Sequence, residues 1–116
     1  MDFDNAKTGI WTLIELCKRK ANPEDFKKQV SRVLMVIIDQ IHDAESLVRA
    51  EKPVAESAQF LRKLKNLKNE SIAYLDSCKK EYRRGNLKEV VKILLWLLKQ
   101  FEQLERTLER ASVFSG

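Results

Sequence analysis

The chain has 116 residues, 44% of them hydrophobic and 34% charged, with a net charge of +5 and a mean hydropathy of −0.39. That length sets one domain with a core of its own, and three glycines and two prolines are too few for a turn-rich all-β fold. Two cysteines exclude a disulfide framework, and no apolar run reaches the roughly 20 residues that span a bilayer.

Hydrophobic spacing predicts four helices, over 5–20, 23–51, 53–84 and 87–111. In the first, Phe3, Ala6, Ile10, Leu13 and Cys17 share a face, with Trp11, Ile14 and Leu16 beside it. Asp4 or Asn5 is placed to cap its start, and Lys18, Arg19 and Lys20 fill its last turn, where cations suit the helix dipole. The clearest local signal follows. Asn22 caps, Pro23 takes the first helical position, and Glu24 and Asp25 occupy the first turn.

The second helix carries a stripe of Phe26, Val30, Val33, Leu34, Ile37, Ile41, Ala44 and Val48. Pro53 ends it or kinks it, since proline breaks the hydrogen-bond ladder and biases the preceding residue away from helix. A tight corner and one long bent helix both fit. In the third helix Phe60, Leu64, Leu67, Tyr74, Leu75, Cys78 and Tyr82 face one way, and Gly85 suits the position just past its end. Asn86 and Glu89 then form a capping-box pattern. Val90, Ile93, Leu94, Leu97, Phe101, Leu104 and Leu108 form the core stripe of the fourth helix. One short and three long helices with short connections read as an all-α, four-helix up-down bundle, whose short first helix leaves one end without a fourth wall.

Two apolar runs exceed what a surface helix needs. Residues 33–38 and 93–98 are apolar nearly all round, whereas a surface helix buries a stripe roughly 100° wide or a little more. The surplus residues Met35, Val36, Ile38, Leu95, Trp96 and Leu98 are the candidate protein interface, and Met and Trp are enriched in interface cores. In the competing account, the second and fourth helices are a central pair covered by their own bundle.

Cations form two lines. Arg62, Lys65, Lys68, Lys79, Lys80, Arg83 and Arg84 lie within about 160° of one another on the third helix, and Lys88, Lys92, Lys99, Arg106 and Arg110 within about 40° on the fourth. Such lines, with Trp96 adjacent, suit a phosphate backbone and a stacked base. Interspersed acids such as Asp76, Glu102 and Glu109 support a solvated face instead.

No catalytic constellation is visible. Asp39, His42 and Asp43 share a face, yet a di-metal bundle needs carboxylates and histidines from several helices, and this chain has one histidine. Cys17 and Cys78 lack a histidine partner for nucleophilic chemistry and read as buried thiols in a reducing compartment, with a bridge between them as the other possibility. The expectation is a cytoplasmic, non-catalytic adaptor or assembly subunit without a cofactor, metal, membrane or small-molecule substrate. It self-associates or docks a helical protein partner. The alternative is a subunit that binds the DNA or RNA backbone without sequence preference.

Overall fold

A computed structural model describes residues 2–115, with side-chain surroundings for 2–110. Its helices are α1 (Asp4–Lys18), α2 (Pro23–Glu51), α3 (Val54–Arg83) and α4 (Leu87–Ser115). Each packs on its sequence neighbours and α1 closes the ring against α4, giving an up-down bundle with principal extents of 47 × 18 × 17 Å. Among the described residues no helix is long and apolar enough to cross a membrane.

The start of α1 departs from expectation. Neither Asp4 nor Asn5 caps it, because the helix begins a residue earlier and Phe3, which has no polar side chain, holds the N-cap position. Its orphan amides are taken up elsewhere. Asp2 Oδ1 accepts from the Asp4 amide at 3.2 Å, Gln40 Oε1 of α2 from the Ala6 amide at 2.7 Å, and Glu105 Oε1 of α4 from the Phe3 amide at 3.3 Å. The first turn is thus capped across the bundle, by both helices that flank it.

At its other end α1 closes in a Schellman motif: the Ala21 amide bonds the Leu16 carbonyl and the Lys20 amide the Cys17 carbonyl. Lys20 has φ 53°, the left-handed conformation that favours glycine. After α3 the same motif recurs with Gly85 at φ 84°, as its sequence position suggests. Asn22 caps α2 through a 2.8 Å bond from the Glu24 amide to Oδ1. Asn86 accepts the Val90 amide at its carbonyl, while its side-chain amide donates to Glu81 across the turn at 2.6 Å.

Pro53 makes a corner. Lys52 is extended (φ −111°, ψ 144°), the conformation that proline imposes on the residue before it, and α3 folds back along α2. At its C-terminal end α4 continues to Ser115, four residues beyond the expected boundary at 111.

The core runs the length of the bundle. Phe26 stacks on Tyr82 with ring centroids 3.9 Å apart and 6° between planes, and the Tyr82 hydroxyl donates to the Ala21 carbonyl. Phe3 meets Phe101 edge to face at 5.3 Å. Gly9 lets α1 approach α2 closely, since a Cβ there would lie 3.1 Å from both methyls of Val33. Beyond the start of α1, Ile41, Ala44 and Val48 of α2, Leu64 of α3 and Leu104 and Leu108 of α4 are all buried.

Candidate functional site

The six residues expected to form one interface do not share a surface. Leu98 is 5% exposed and belongs to the core, which corrects its assignment as a contact residue. Val36 and Ile38 are half-buried. Val36 stands about 40° from Gln40, on the flank of α2 that meets α1, and Ile38 about 40° from Leu34, on the flank that meets α3. Only Met35 points outward from α2, at 67% exposure. On α4, Trp96 leans on Tyr74 of α3 with centroids 4.7 Å apart, and Leu95 lies a quarter-turn away on the α1 side. Nor are α2 and α4 a central pair: they sit diagonally in the ring, and among the described residues no Cα atoms of the two come within 8 Å. For Val36, Ile38 and Leu98 the apolar surplus has an intramolecular cause, while Met35, Leu95 and Trp96 stay exposed. A helix with a neighbour on each side buries its flanks as well as its inner stripe.

Charge behaves in the opposite way and converges. Lys79, Lys80 and Arg83 from the last turns of α3, Arg84 at its C-cap and Lys27 from the first turns of α2 line one depression of about 440 Å³, with Glu24 and Asp76 as its carboxylates. Asp76 pairs with Lys80 at 3.2 Å and Lys79 at 3.8 Å, and Arg84 with Glu81 at 3.1 Å. Among the described residues no carboxylate pairs with Lys27 or Arg83. Segments 15–32 and 76–92, which make up this end of the bundle, hold twelve cations and six carboxylates; the rest of the chain holds ten and eleven. The net positive charge of the protein therefore resides wholly at this end.

The stripe read on α3 divides in two. Arg62, Lys65 and Lys68 lie on the same helix but three or more turns away from Lys79, at least about 16 Å along the axis, and do not line the depression. Lys27 is the member that sequence reasoning missed, since its contribution depends on the antiparallel pairing of α2 with α3. The α4 line is exposed, and Arg106 is paired with Glu102 at 3.9 Å.

Among the described residues the remaining chemistry-bearing side chains are not assembled. Asp39, His42 and Asp43 are exposed on α2, and among the described residues no group of three or more His, Cys, Asp or Glu is placed to hold a metal ion. Cys17 and Cys78 are free and buried. They belong to α1 and α3, whose Cα atoms, among the described residues, do not approach within 8 Å, outside the range of about 4.4–6.8 Å that a disulfide spans. Burial pushes the Cys17 thiol up to about 11. Cys78 is pushed up to about 12, by burial first and by Cys17 second. Neither is an activated nucleophile, which requires a lowered pKa.

No protein-family model, curated protein or solved structure matches the chain.

Proposed function

We propose that the bundle works by binding, without catalysis, and that it holds the phosphate backbone of a nucleic acid at its basic end. The observation that carries this reading is the convergence of five cations from two helices on one depression. Lys and Arg there neutralise phosphates and release counterions, a favourable term that needs no base sequence. Arginines at two of the five positions add paired donors for phosphate oxygens. The Glu24 and Asp76 carboxylates oppose binding and keep the site from being a simple cationic tail.

Charge reversal tests the reading. The double variant Lys27→Glu, Arg83→Glu removes the two cations without ion-pair partners and is expected to weaken binding of a labelled oligonucleotide at least tenfold by fluorescence polarisation. Unchanged affinity overturns it. Reversing Arg106 and Arg110, at the far end, serves as the control.

A second reading keeps the docking of a protein partner, and one observation favours a place for it. The antiparallel packing of Phe3 on Phe101 brings Trp11 near the level of Leu95, both exposed, beside the α1–α4 seam. Substituting both with glutamate is expected to abolish partner docking without loss of helicity.

A further inference from the structure

A second groove lies between α3 and α4, on the flank of α3 away from the basic depression. Tyr74, one turn along α3 from Glu70, and Trp96, one turn along α4 from Gln100, flank it with their rings tilted by 52°, and Trp96 keeps 40% of its surface in water. Toward the Pro53 corner, the groove holds about 250 Å³ over a floor of Leu67 and Leu104, open to solvent between Lys63, Asn66 and Glu70 of α3 and Gln100 and Gln103 of α4. Thr107 also borders it, but its hydroxyl is committed to the Gln103 carbonyl at 3.0 Å. Among the described residues no hydrogen bond engages the side-chain amides of Asn66, Gln100 or Gln103. Lys92 and Lys99 stand about 40° and 60° round α4 from Trp96.

These parts fit one kind of ligand. A solvent-facing indole offers a stacking surface to any unpaired base. Carboxamides, each both donor and acceptor, match base edges that are free of a complementary strand. The two lysines lie on the side of Trp96 away from the groove floor and can pair with phosphates of a strand whose base stacks on the indole. A duplex offers none of this, since its base faces are stacked and its Watson–Crick edges paired.

We infer that the α3–α4 groove receives unpaired bases, so that the nucleic acid the protein holds is single-stranded, with one base on Trp96 and its neighbours against Asn66, Gln100 and Gln103. The inference rests on the nucleic-acid reading of the basic end. Its chemistry is common to RNA and DNA, and the test carries both.

In a Trp11→Phe background Trp96 is the sole indole, and its emission reports on the groove. A 12-nucleotide mixed-sequence strand, as RNA and as DNA, is titrated beside a duplex of equal length. Single strands are expected to quench Trp96 and to bind at least tenfold more tightly than the duplex. Whichever of RNA and DNA binds more tightly identifies the source. Trp96→Ala is expected to weaken single-strand binding about tenfold and leave duplex binding unchanged, with Trp96→Phe restoring most of the loss. Asn66→Ala with Gln103→Ala probes the groove without disturbing the aromatic pair. Equal affinity for strand and duplex, no quenching and no effect of these variants overturn the inference and leave the basic-end reading standing. Failure of both strand and duplex to bind at low salt overturns both.

Discussion

Lys7 of α1 and Glu105 of α4, 98 positions apart in sequence, meet at 2.9 Å, and the same carboxylate accepts from the Phe3 amide. Both side chains are largely shielded from water, so their attraction is less screened than that of a surface pair. The pair fixes the start of α1 on α4 while Gln40 fixes it on α2. Glu105→Ala is expected to destabilise the fold by about 1.5–3 kcal/mol, the range for hydrogen bonds to charged groups. Gln40→Ala should lower stability by about 1 kcal/mol, as loss of a helix cap does. Urea unfolding of each variant measures these, and a double-mutant cycle of Lys7→Met with Glu105→Gln isolates the coupling.

Gly9 packs against a stiff neighbour. Alanine there gains about 1 kcal/mol of helix propensity, but its Cβ would press on both Val33 methyls at 3.1 Å. Valine in a helix has one strongly preferred rotamer and yields little, and overpacking typically costs about 1–3 kcal/mol. Gly9→Ala is therefore expected to destabilise by about 1 kcal/mol, and Val33→Ala in the same chain to remove the clash. The readout is the coupling in chemical denaturation: a Gly9→Ala penalty that persists unchanged in the Val33→Ala background contradicts the account.

Lys20 presents the reverse case. Its left-handed backbone costs an L-residue about 1–2 kcal/mol, and its counterpart after α3 is Gly85. Lys20→Gly is expected to stabilise the protein by about 1 kcal/mol, visible as a higher urea midpoint with an unchanged slope.

Most of the architecture was legible because the chain is locally consistent. Asn22-Pro23, Pro53 and Gly85 mark the boundaries, and period-3.6 stripes mark the inner faces. Local pattern could not show that the first turn of α1 is capped by Gln40 and Glu105, since those partners come from distant sequence. It also misread Leu98 and the flanking Val36 and Ile38, because a helical wheel gives directions without saying how many neighbours a helix has. For the candidate site, the four α3 cations were visible as a line, but Lys27 joins them only through tertiary packing. The groove of Asn66, Gln100 and Gln103 had no sequence signal at all, as its residues are polar, scattered and contributed by two helices.

Alkaline pH should unfold the protein through its thiols. Both folded-state values lie above the ordinary thiol value of 9.0, at about 11 for Cys17 and about 12 for Cys78. The unfolded chain then loses these protons first. Their contribution is complete below about pH 9 and is lost as pH rises toward 11 and 12, each proton steepening the slope by about 1.4 kcal/mol per pH unit. Lys7, raised chiefly by its hydrogen bond to Glu105, and Tyr82, raised by burial and then by Cys17, act in the same direction at higher pH. Cys17→Ala with Cys78→Ala is expected to flatten the fall between pH 9 and 10.5, measured by urea unfolding across that range.

The most direct test of the account is the salt dependence of oligonucleotide binding by the unmodified chain, followed by fluorescence polarisation from 25 to 300 mM salt. Five cations converging on the backbone predict a log K against log[salt] slope of about −3.5 for a single strand. In the quadruple variant Lys79→Glu, Lys80→Glu, Arg83→Glu, Arg84→Glu, affinity and slope should both collapse. A slope near zero, or a quadruple variant that binds as the unmodified chain does, would contradict the assignment of the basic end.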